Sequence, residues 1–150
     1  MQGLRLGGHP LHPALVHFPV VCWTVTPACY GVYLLGRDLA FWHYAFWCNA
    51  LGVALALLAM AAGFMDLMAI RPGPAQDVGQ RHMLLMATAW CVYTVVLVIC
   101  PAGTPPSSAL AWAGLSLSAV GFLLLAVGAY AGARLVYDFG IGQTGRSRGP

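Results

Sequence analysis

The stretch FWHYAFWCNALGVALALLAMAAGFMDLMAI, Phe41 to Ile70, runs for 30 residues with a single charged side chain, Asp66. A helix of about 20 mostly apolar residues crosses the hydrocarbon core of a bilayer, so this segment alone is long enough to span one. Ala14 to Leu35, His82 to Cys100 and Ala109 to Val136 have the same character. Between the four lie breakers: Gly36 to Asp38, the Pro- and Gly-containing loop Arg71 to Arg81, and Pro101 to Ser108. The expected fold is an all-α integral membrane protein, four transmembrane helices in an up-down-up-down bundle forming one domain, with a flexible tail over 137–150.

Composition agrees with that solvent. Of the 150 residues 60% are hydrophobic and 7% charged, against roughly 25% charged in a soluble domain. A soluble helical core would need far more charge on its outer faces. The positive charges are seven arginines, and a net +3 this scattered is no surface for nucleic acid. Five cysteines without a CxxC or CxxCH spacing support no disulfide framework, zinc ribbon or attached c-type haem, and read as small buried hydrophobes. No small-residue cleavage site follows the first apolar segment, so that helix is expected to be retained.

Four spans place both termini and the second loop on one membrane side. Arg5, Arg71, Arg81, Arg134, Arg146 and Arg148 gather there, with Arg37 alone opposite. The positive-inside rule then puts the termini in the cytoplasm of a bacterial inner membrane. Trp42, Tyr44, Trp47, Trp112 and Tyr137 suit interfacial belts. Small residues recur at helical spacing: Gly52, Ala56, Ala59 and Gly63 in the second span, and Gly114, Ser118, Gly121, Gly128 and Gly132 in the fourth. Such seams let membrane helices pack closely, and between two copies of the chain they would serve a homo-oligomer. In the first span Val21, Thr24, Ala28 and Gly31 fall in line with His17, and Pro19 and Pro27 are expected to bend the helix.

The same topology gathers polar side chains at one end. His9, His12 and His17 precede or open the first span, Asp66 closes the second, and His82 opens the third. A carboxylate costs roughly 2.5–3.5 kcal/mol at the bilayer centre, and less near its edge, so Asp66 is expected to have a partner or a task. Spans one and three run parallel, so His17 and His82 are the expected axial pair of a haem b, with small residues making room for the ring and nearby arginines meeting its propionates. His9, His12, His17, Asp66 and His82 offer a second possibility, a transition-metal site for Fe, Cu or Zn. His43 stands on the opposite side and is assigned to the interface.

The motif HPLHPALVHFPV (His9 to Val20), the segment GFMDL (Gly63 to Leu67), the isolated His82 and the closing ARLVYDFGIG (Ala133 to Gly142) resemble a bacterial membrane family known as domain of unknown function 2231. The resemblance covers nearly the whole chain. It implies a small four-helix membrane protein, in a family some of whose members are joined to Rieske or c-type cytochrome domains, and hence electron transfer. The chain departs from the family pattern at Ala87, Ala89 and Phe139, where polar residues are common, so no ligand or proton role is carried to those positions.

The expected function is therefore a histidine-rich membrane protein that binds haem b or a transition metal and serves electron transfer. The alternative is an accessory subunit of a respiratory or redox complex, its His-Pro segment an anchor and its glycine seams a docking face. No nucleophile–base pair, phosphate loop or paired acid favours an enzyme, and no inverted repeat is evident that would suggest a transporter.

Overall fold

The computed structural model describes residues 5–103 and 106–143. A short hairpin, β1 (Arg5–Leu6) and β2 (His9–Pro10), turns through Gly7 and Gly8 at φ 58° and 83° and leads into four helices. These are α1 (Leu11–Gly36), α2 (Leu39–Met68), α3 (Pro74–Ile99) and α4 (Ser108–Tyr137). All four are long and apolar enough to cross a membrane, and the protein is a four-helix membrane bundle. At 1.5 Å per residue the helices measure about 39–45 Å, so each overhangs a core of about 30 Å by roughly 5–8 Å at either end.

Local chemistry fixes the boundaries. Arg37 adopts the left-handed conformation at φ 57°, and Asp38 caps α2 by accepting from the Ala40 amide at 2.9 Å. Ser107 caps α4 through the Leu110 amide at 3.2 Å. The third helix begins at Pro74 and not at His82. Gly73 turns the chain at φ 146°, Pro74 occupies the first turn and Asp77 complements the positive end of the helix dipole. Polar composition masked this start, and it leaves His82 eight residues, about 12 Å, inside the helix. At the other end of the chain, the expected tail folds back over its first residues: the Gly140 and Ile141 amides bond the Val136 and Leu135 carbonyls at 3.1 and 2.9 Å. Residues 144–150, with Arg146 and Arg148, lie outside the described residues.

The two hairpins, α1–α2 and α3–α4, follow one plan. Moving 70 residues along from α1 and 69 from α2 carries His12 to His82, Trp23 to Tyr93, Gly52 to Gly121, Ala59 to Gly128, Gly63 to Gly132 and the cap Asp38 to the cap Ser107. Matching positions do matching jobs. His12 bonds the Ala59 carbonyl and His82 the Gly128 carbonyl, both at 2.8 Å. Trp23 lies on Gly52 as Tyr93 lies on Gly121. This is a parallel repeat, the kind whose halves are related by an axis along the membrane normal.

The glycine and alanine seams of α2 and α4 are buried as expected, with Gly63 and Gly132 half-buried. On α1 the expectation fails: Val21, Thr24 and Ala28 face outward, and the inner face carries Pro19, Trp23, Thr26, Cys29, Tyr30 and Tyr33. Trp42 likewise leaves the interfacial belt, fully buried between Tyr30 and Tyr33, while Tyr44, Trp47, Trp112 and Tyr137 remain exposed. Lipid accepts an apolar face as readily as the core does, so in this solvent the bulky aromatic and polar-tipped side chains go inside.

Candidate functional site

At the end of the bundle that carries the β-hairpin, side chains from all four helices enclose a half-open cavity of about 330 Å³, at the lower end of small-molecule sites. Its lining is apolar apart from His12, Asp66 and His82, which are also its only ionisable residues. Trp23 forms part of the floor, stacked on Tyr93 with ring centres 4.6 Å apart and planes within 5°.

Each histidine is held in the same way. His12 reaches from the first turn of α1 to α2, where its Nδ1 lies 2.8 Å from the Ala59 carbonyl and its ring covers Gly63; a Cβ on that glycine would lie 2.8 Å from His12 Cε1. His82 reaches from α3 to α4, its Nδ1 2.8 Å from the Gly128 carbonyl and its ring over Gly132, where a Cβ would lie 3.1 Å from Cε1. A carbonyl only accepts, so both Nδ1 atoms carry the proton and donate. Both neutral rings therefore present the lone pair of Nε2. The ring centres stand 6.2 Å apart with planes at 81°.

Of the residues expected to meet at this end, the structure brings together His12, His82 and Asp66, which all line the cavity. His17 does not join them. It is exposed on the outer face of α1, its Nδ1 3.4 Å from the Ala14 carbonyl of its own turn, and His12 takes its place opposite His82. The reason is rotation: five residues further along α1, His17 stands about 140° around the helix from His12, and it points away from the cavity that His12 lines. His9 is exposed in β2, and His43 is exposed on α2 as expected. Among the described residues no group of three or more His, Cys, Asp or Glu side chains is placed to hold a metal ion together.

Sequence reasoning missed Trp23 as part of the floor, with Tyr93 stacked against it, and Gly132 as the seat of His82. Comparing the chain with itself at an offset of 69 or 70 residues would have paired His12 with His82. Pro27 explains the floor further. It has no amide hydrogen to offer the Trp23 carbonyl four residues back, and the Tyr93 hydroxyl donates there at 2.8 Å, with the Ser118 carbonyl at 3.1 Å. Asn49 ties α2 to the same spot through its Nδ2, 2.9 Å from the Tyr93 carbonyl.

No curated protein and no solved structure matches the chain. The family model described as predicted membrane protein, domain of unknown function 2231, matches residues 8–145, and the chain belongs to that family.

Proposed function

We propose that His12 and His82 would hold a haem b, and that the protein carries single electrons within the membrane. The observation behind this reading is the pair of imidazoles, each fixed through Nδ1 to a backbone carbonyl, with ring centres 6.2 Å apart. Such bonds fix the tautomer and orientation of metal-bound histidines. Two imidazoles that shared one metal ion, with metal–nitrogen bonds of about 2.0–2.1 Å, would have ring centres up to about 6 Å apart, and the separation here fits that. The donor count favours haem over a bare ion. A porphyrin would supply four of iron's six ligands and ask the protein for two, and the cavity offers two imidazoles beside the Asp66 carboxyl group. Bound there, haem supplies a one-electron couple between ferric and ferrous iron.

The chain's own part is to orient and enclose. Ala59 and Gly128 hold the rings, Gly63 and Gly132 give them room, and the apolar lining keeps water from the metal. Arg71 and Arg81 are exposed at the same end and would meet the haem propionates there. With Arg5 and Arg134 there and Arg37 opposite, this end faces the cytoplasm of a bacterial inner membrane, and a redox protein or respiratory complex is the electron partner.

The test is addition of hemin to the purified protein in detergent. A low-spin, bis-imidazole visible spectrum is expected, lost in His12→Ala and in His82→Ala and retained in His17→Ala. An absent spectrum, or one that survives both of the first two substitutions, overturns the proposal.

A further inference from the structure

The two sides of the cavity differ in a way the repeat does not require. On the side formed by α2 and α3 no lining residue is exposed: Gly79 is buried and Met60, Leu67 and Met83 are half-buried. Along the seam of α1 with α4, four lining residues are exposed on the outside of the bundle: Pro13, Val20, Ala129 and Val136. Their depth decides what they face. Val20 lies nine residues after the start of α1 and Ala129 eight before the end of α4, about 12–14 Å along their helices. The helices overhang the hydrocarbon by only about 5–8 Å at each end, so this part of the opening lies within the acyl chains.

From this we infer that the cavity has a lateral portal between α1 and α4, through which its ligand enters from the bilayer and not from water. The inference rests on the haem reading and adds to it the source of the ligand. The portal suits a flat, largely apolar molecule that dissolves in the membrane edge-on, as an iron porphyrin does. On α4 its rim is made of small side chains, Ala129 and Gly132, and on α1 of Pro13, Val16 and Val20, all of which line the cavity. None of these has a polar side-chain atom, so a porphyrin edge passing between them leaves no buried hydrogen-bonding group unpaired.

The experiment uses the full-length protein in vesicles whose bilayer carries dissolved hemin, and follows the growth of the low-spin band. Ala129→Trp and Val20→Trp fill the rim, while Leu123→Trp places the same indole on an exposed part of α4 away from the cavity. The expected result is loading slowed tenfold or more in the first two, with an unchanged rate and an unchanged final band in the third. Equal rates throughout overturn the portal while leaving the haem site standing. Should Ala129→Trp lose the final band, Val20→Trp and the smaller Ala129→Leu decide on rate. A final band lost in all three puts these residues inside the bound site and overturns an entrance role. If the unaltered protein shows no band, the haem reading falls and this inference with it.

Discussion

At the scale of single residues, an imidazole is useful here because of what holds its far nitrogen. A histidine in an apolar helix bonds whatever acceptor it finds, and His17 does so within its own turn. His12 and His82 instead cross to a neighbouring helix, because a glycine there leaves a flat space beside a carbonyl four residues earlier. Gly63→Ala is therefore expected to turn the His12 ring and weaken hemin binding, with overpacking typically costing about 1–3 kcal/mol. Gly132→Ala, whose Cβ meets a looser contact, is expected to weaken it less; hemin titrations of both variants check the order. The carbonyl that Pro27 frees gives a second prediction. Tyr93→Phe removes the donor from the buried Trp23 carbonyl and is expected to destabilise by about 1–3 kcal/mol. In a Pro27→Ala background the new amide serves that carbonyl, and the penalty is expected to shrink. Thermal unfolding of the four proteins of this cycle in mild detergent measures it.

At the scale of helices, the bundle joins smooth faces to bulky ones. Gly52 carries the indole of Trp23, Gly114 the ring of Tyr30 and Gly121 the ring of Tyr93. Bringing backbones this close recovers dispersion energy that lipid exclusion does not supply. How a seam responds to an added methyl depends on whether the opposing side chain can move. At Gly52 a Cβ would lie 2.6 Å from the indole, which is buried and stacked on Tyr93. At Gly128 the same atom would meet the terminal methyl of Met86, and an unbranched thioether bends away. Gly52→Ala is thus expected to lower the unfolding temperature clearly, by an overpacking cost of about 1–3 kcal/mol, and Gly128→Ala much less. Equal losses would mean that Met86 is as confined as Trp23.

At the scale of the whole molecule, two hairpins of one design close around a site that neither completes alone. Each brings one imidazole, one carbonyl to hold it and one ring to the floor. Hairpins 1–72 and 73–150 expressed as separate chains are expected to insert and to co-purify as a pair, with hemin added to the mixture giving the same spectrum as the intact chain. Co-purification without the spectrum would show that the linker Ala69–Gly73 sets the depth of His82. Four spans also require reporters fused to the two termini to be active in the same compartment, and one active on each side would refute the topology.

The number of helices, their membrane setting and their up-down order were legible in the sequence, because apolar length and Pro/Gly breaks are properties of contiguous residues. So was the small-residue face of α2 and α4, since Gly52, Ala56, Ala59 and Gly63 repeat at helical spacing whatever they pack against. The inner face of α1 was not, because hydrophobicity does not separate core from lipid when both are apolar. The choice of His12 over His17 was not either, because it depends on which face of α1 turns inward, and that is fixed by the packing of four helices. The sequence by itself determined which side chains arrive at this end of the bundle, and only the tertiary structure decided which two imidazoles meet. Composition selects the solvent, but a pairing across helices depends on depth and rotation, which no single segment contains.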